Sequence, residues 1–182
     1  MPRLIHLNGP PGIGKSSLAR RYAHEHPGVL DLDLDALRGL LPGLRFIEVG
    51  PVVRPLGHAL ASAHLREGRD VVLPQYLGRL EEIEGFASTA SVAGSDFVEV
   101  MLTDSRAGAV ARFARRGADG TDPWHDEVRA VVAAQGGEEH LGWMHDRLQE
   151  MLAARPSYVV VDSVEGEPEA AYDALLRTLR GG

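Results

Sequence analysis

The sequence predicts an α/β fold built on one parallel sheet of five strands. Short apolar runs alternate with amphipathic stretches along the whole chain, which is the pattern of βαβ units. A Gly-x4-Gly-Lys-Ser segment joins the first apolar run to the first amphipathic stretch. Glycine or proline punctuates the predicted helix ends. With 182 residues, 44% apolar and 25% charged, the chain suits one domain, residues 1–182, around one core.

Arg3–Leu7 reads as a buried first strand, and Lys15–His26 as the first helix, with Leu18 and Tyr22 four apart on one face. Val29–Asp33 is the second strand. Ala36–Leu41 is a short helix stopped near Pro42 and Gly43, and Gly57–Arg66 a further helix ended by Gly68. Asp70–Leu73 is the third strand, followed by a helix over Leu80–Val92 that ends at Gly94. Asp96–Leu102 is the fourth strand, and Ala107–Arg116 a helix ended by Gly117. Pro123–Ala134 and Glu139–Ala154 are helices split by Gly136 and Gly137. Tyr158–Val161 is the last strand and Glu169–Arg180 the last helix. Right-handed crossovers then place ligand sites at the carboxyl ends of the strands.

The absence of cysteine removes disulfides, thiolate metal sites and a thiol nucleophile. No apolar run is long enough to span a bilayer, and Gly9 to Lys15 interrupt any signal-peptide pattern, so a cytoplasmic protein with no membrane partner is expected. The net charge of −7 argues against a dedicated binder of long nucleic acids, although a local basic groove is compatible with it. His125, His140 and His145 lack the spacing and partners of a metal set.

Gly9-Pro10-Pro11-Gly12-Ile13-Gly14-Lys15-Ser16 follows a strand and opens a helix, the context a phosphate-binding loop requires. Its glycines let successive N–H groups turn toward β- and γ-phosphates, and the helix N-terminus adds partial positive charge. Lys15 is the only lysine among 19 basic residues; it stands where a compact ammonium on a flexible stem bridges phosphate oxygens. Ser16 offers its hydroxyl to Mg²⁺, and Ser17 completes the set expected to bind ATP.

Asp31 and Asp33 alternate onto one face of the second strand. Asp35 stands at the strand-to-helix transition. A carboxylate there orients a hydroxyl and takes its proton, or simply caps the helix beginning at Ala36. Asp33 reads equally as a partner of Mg²⁺ through water or as a cap. Arg38, one turn on, suits an anionic group. The third strand ends in Leu73-Pro74-Gln75, without the usual acidic residue, so Gln75 and then Arg79 are candidates for contacting an acceptor.

The P-loop, Asp35-Ala36-Leu37-Arg38 and the later Arg-rich helix resemble the P-loop kinase group of polynucleotide 5′-kinases, chloramphenicol phosphotransferase and zeta-toxin-like kinases. Many small AAA-family ATP-binding proteins are similar. The resemblance runs over nearly the whole chain. It implies a three-layer P-loop fold of the nucleotide-kinase type, strand order 2-3-1-4-5, with a helical lid over about residues 112–137. It also implies Asp35 as general base, Arg38 as an acceptor ligand, and lid arginines on the ATP phosphates, Arg116 first and Arg112 second. These two lie four apart and share a helix face; the alternative is a solvated face. The implied co-substrate is ATP with Mg²⁺.

Three functions compete: a kinase of a small hydroxyl-bearing molecule (antibiotic, nucleoside or sugar), a polynucleotide 5′-hydroxyl kinase, and an ATPase switch without an acceptor. Acidic charge and small size favour the first.

Overall fold

The apolar run at the start of the chain forms strand β1 (Arg3–Asn8), buried from Leu4 onward. A central strand covered on both faces of a parallel sheet has this near-continuous apolar character. In the computed structural model the described residues are 1–44, 46–115 and 123–181. Five strands form one parallel sheet in the order β2-β3-β1-β4-β5, as the resemblance implies. The chain divides into two compact units, Met1–Asn8 with Lys15–Val100, and Gly9–Gly14 with Met101–Gly182.

In the first unit β1 is followed by helix α1 (Lys15–Glu25), which buries Leu18, Ala19 and Tyr22. Strand β2 covers only Leu30–Asp31, shorter than the apolar pattern predicts, because the chain turns into helix α2 (Leu34–Arg38). That helix begins two residues earlier than expected. Its N-cap is Asp33, whose Oδ1 accepts the Asp35 N–H at 2.9 Å. Asp35 is therefore inside the first turn and is not the cap.

Helix α3 (Phe46–Arg66) is twice the predicted length and runs through Pro51 and Pro55. Proline in a helix interior removes a backbone donor and crowds the preceding turn. Here both prolines are exposed, while Val49, Val53, Gly57, Ala61 and Leu65 form a buried stripe at intervals of four. Gly57 lets α3 pack closely on α2: a Cβ there would meet Leu34 Cδ2 at 2.6 Å, so that side chain would have to shift.

Strand β3 (Val71–Leu73) lies between β1 and β2, with Leu4 beside Val71, Ile5 beside Val72, and Asp31 beside Val72 on the other edge. Arg3 fastens the start of β1 to Asp70 through its backbone N–H at 2.9 Å and its guanidinium at 2.8 Å. Helix α4 (Leu80–Val92) buries Ile83, Phe86 and Ala90. His58 of α3 stacks on Phe86 at 4.0 Å, and burial lowers its pKa, with Arg54 adding to the effect. Strand β4 (Asp96–Thr103) carries the chain out of this unit.

In the second unit, helix α5 (Arg106–Arg115), helix α6 (Pro123–Ala134) and helix α7 (Glu138–Ala154) share a cluster of Phe113, Val132 and Leu141. Strand β5 (Val159–Asp162) precedes helix α8 (Pro168–Gly181), whose Ala171, Tyr172, Leu175 and Leu179 are buried. No helix among the described residues is long and apolar enough to cross a membrane.

Candidate functional site

In the second unit the loop Gly9–Gly14 presses against the backbone of its neighbours. Gly9 and Gly12 have φ of 150° and 84°, a region that side chains avoid. A Cβ on Gly9 would stand 2.8 Å from the carbonyl oxygen of Leu102, and one on Gly12 3.2 Å from the backbone N and Cα of Phe113. Neither contact is with a flexible side-chain end, so both positions demand glycine. The Ile13 N–H reaches the Pro10 carbonyl at 3.3 Å and closes a turn.

The Ile13 carbonyl oxygen accepts two hydrogen bonds, from Arg112 Nη2 at 2.9 Å and from Ser163 Oγ at 2.9 Å. Arg112 Nη1 donates to the Ser163 carbonyl and lies 3.4 Å from Asp104 Oδ2. Thus Arg112 is joined to the loop, through its backbone. Its neighbour Arg115 pairs with Glu165 at the surface. Arg116, the first-choice lid arginine, lies outside the described residues, as does part of the expected lid.

In the first unit Lys15 and Ser16 open α1, with Ser17 exposed behind them. The first turn of α1 carries no acidic side chain, so its partial positive charge is available to an anion. The adjacent parallel strands β1, β3 and β2 end on the same edge of the sheet, which brings the residues after each to that edge. After β2, Asp35 Oδ1 lies 3.3 Å from Arg38 Nη2, the carboxylate 43% exposed and the guanidinium 15%. Asp31 sits deeper; burial pushes its carboxyl up to about 6, Asp33 adds to this and Arg20 opposes it.

After β3, the Gln75 carbonyl accepts from His6 Nε2 at 3.0 Å, and Gln75 Oε1 is buried without a partner among the described residues. Arg79 occupies the N-cap position of α4 and pairs with Glu82 at 2.5 Å, while Arg54 reaches the same carboxylate oxygen at 2.7 Å. Arg79 is thus a surface residue held in an ion pair.

Asn8, His6 and Ser163 are structural supports of these segments that pattern reading passed over. Asn8 and His6 interrupt an apolar run, a signal that buried polar side chains there have fixed partners. Ser163 carries no such signal, since nothing local distinguishes it from any serine after a strand.

Among the described residues no group of three or more His, Asp or Glu is arranged to hold a metal ion. Ser16, at the start of α1, carries a hydroxyl, a donor type that a hard cation such as Mg²⁺ takes beside phosphate oxygens and water. Asp33 uses its Oδ1 in the cap of α2.

The family model described as an AAA domain matches residues 4–137. The chain belongs to the AAA domain family. Solved structures share the fold of this AAA domain over nearly its whole length. A tunicamycin resistance protein of Deinococcus radiodurans is 21% identical, with a TM-score of 0.62 over 97% of this chain and 95% of that one. A protein of Chloroflexus aurantiacus described as a kinase is 18% identical, with a TM-score of 0.68 over 100% and 97%. A gluconokinase of Sinorhizobium meliloti is 21% identical, with a TM-score of 0.60 over 98% and 93%. No curated protein matches the sequence significantly.

Proposed function

We propose that this AAA domain transfers the γ-phosphate of ATP to a hydroxyl group of a small molecule. The observation that carries the reading is the loop Gly9–Gly14, in which a Cβ at Gly9 or Gly12 would crowd neighbouring backbone at a positive φ, followed in the sequence by Lys15 and Ser16 at the start of α1. Backbone N–H groups and a helix N-terminus in this order form an anion cradle. Two of the fold neighbours are kinases by name, which agrees with this chemistry.

In the proposed reaction Lys15 neutralises phosphate oxygens. Mg²⁺, with Ser16 as its protein ligand, would supply charge neutralisation across the phosphates. Asp35 accepts a hydrogen bond from the acceptor hydroxyl. As the acceptor oxygen bonds to the γ-phosphorus, the bond to the bridging oxygen breaks, ADP leaves and the proton passes to Asp35. Its 43% exposure leaves that carboxylate reachable by a substrate. Arg38 holds Asp35 in place or binds an acidic group on the acceptor, with Gln75 and Arg79 as further acceptor contacts. Arg116 is assigned to the charge on the transferring group, within a lid over about residues 112–137. The reading takes residues 1–182 as one catalytic domain working in the cytoplasm.

A second reading, a polynucleotide 5′-hydroxyl kinase, draws on the Asp35–Arg38 pair. Acceptor-stimulated ATP consumption distinguishes the two. Stimulation by aminoglycosides, amphenicols, nucleosides or sugars supports the small-molecule reading. Stimulation only by 5′-hydroxyl oligonucleotides, falling steeply with salt, replaces it with the second.

A further inference from the structure

The Ile13 carbonyl is held unusually firmly for a loop. Its oxygen accepts from Arg112 Nη2 and Ser163 Oγ, each at 2.9 Å, which fills both of its lone pairs. The two donors come from different elements, α5 and the segment after β5, and they are tied to each other through Arg112 Nη1 and the Ser163 carbonyl. Each is anchored again: Arg112 by Asp104 at 3.4 Å, and Ser163 by its own N–H on the Thr103 carbonyl at 2.8 Å. Ser163 is 4% exposed and the Arg112 side chain 14%, so these bonds form away from bulk water, where they hold orientation best.

A trans peptide unit is planar, with its C=O and N–H pointing in opposite directions. Fixing the Ile13 oxygen on one side therefore fixes the Gly14 N–H on the other. We propose that Arg112 and Ser163 are positioning residues that aim the Gly14 N–H into the phosphate cradle by clamping the Ile13 carbonyl. This rests on the reading that the loop binds the phosphates of ATP. It gives Arg112 a role through the loop backbone in place of direct contact with phosphate, since the two terminal nitrogens already face protein acceptors.

The test is calorimetric titration of the full chain with inorganic triphosphate and, separately, with ATP-Mg²⁺, for wild type, Ser163→Ala, Arg112→Lys and Arg112→Ala. Thermal unfolding is followed in parallel. Ser163→Ala is expected to weaken triphosphate and ATP by the same factor, about two- to fivefold, since the lost loop orientation is worth at most one neutral hydrogen bond. Its kcat at saturating ATP should stay within about twofold, because the contact serves bound substrate and transition state alike. Arg112→Ala should lose more, and Arg112→Lys should recover part of the loss. Should Arg112→Ala fail to fold, Ser163→Ala carries the test alone. Folded variants that bind triphosphate as wild type does would overturn the proposal, even with a lowered Tm. So would weakened ATP binding with unchanged triphosphate binding, which would place the effect at the base. A wild-type chain that binds neither triphosphate nor ATP would instead overturn the ATP reading on which the proposal stands.

Discussion

The side-chain amide of Asn8 closes a two-point bridge with the backbone of Leu77: Nδ2 donates to the Leu77 carbonyl at 3.0 Å, and the Leu77 N–H donates to Oδ1 at 3.2 Å. Asn8 is fully buried and Leu77 is 1% exposed. The bridge fixes the segment between β3 and α4 to the residue that immediately precedes the glycine loop. Asn8→Ala leaves a buried donor and a buried acceptor unpaired and should cost about 2–4 kcal/mol, measured by denaturant unfolding. Asn8→Asp keeps the acceptor but buries a charge against the Leu77 carbonyl, so it should be more damaging at neutral pH than in mild acid.

Asp31 makes stability depend on pH. Its folded carboxyl titrates at about 6 against 3.8 for the free group, because burial beside Asp33 disfavours the charge more than Arg20 supports it. A raised acid pKa means that ionisation opposes folding, so the penalty is absent below the unfolded value. It grows as pH rises and is complete above the folded value. With the group half-buried, it amounts to about 1–2 kcal/mol after allowing for solvent screening. Asp31→Asn should therefore stabilise the chain by that amount near neutral pH and leave it unchanged in acid. Equal unfolding midpoints for the two proteins at neutral pH would contradict this.

Asp35→Asn retains the shape of the side chain and removes the base. Turnover with a competent acceptor should fall by about 10²–10⁴-fold, with ATP affinity held within about twofold. Comparing kcat with the equilibrium Kd for ATP separates the effects. A matching loss in both would mean that Asp35 serves binding or folding instead.

Gly12→Ala forces a methyl group to within 3.2 Å of the Phe113 backbone at a φ of 84°. Strain of about 1–3 kcal/mol is expected at such a position, equivalent to about 5- to 150-fold weaker ATP binding if the loop moves to relieve it. Titration with ATP, beside a thermal melt to separate loop movement from unfolding, checks this.

The central strands are legible because strands buried on both faces are mostly apolar; Arg3–Leu7 and Asp70–Leu73 nearly coincide with β1 and β3. Gly57–Arg66 covers only the second half of helix α3; in the first half Pro51 and Pro55 are placed outward, opposite the Val49–Leu65 stripe, and leave the buried face intact. Asp33 and Asp35 are both suited to capping a helix, and only the backbone geometry shows that Asp33 does so. The glycine loop was legible in full because its residues are contiguous. Ser163, 150 residues from Ile13, and Asn8, 69 from Leu77, act through contacts that no local pattern encodes.

Phosphoryl transfer by this chain is tested by following labelled γ-phosphate from ATP-Mg²⁺ into a pool of aminoglycosides, amphenicols, nucleosides, sugars and 5′-hydroxyl oligonucleotides, with Lys15→Ala beside the wild type. A labelled small-molecule product made by the wild type and absent with Lys15→Ala is expected. Phosphate released by the wild type with no labelled product across the pool, and stimulated by a protein partner, would contradict it and mark the chain as an ATPase switch.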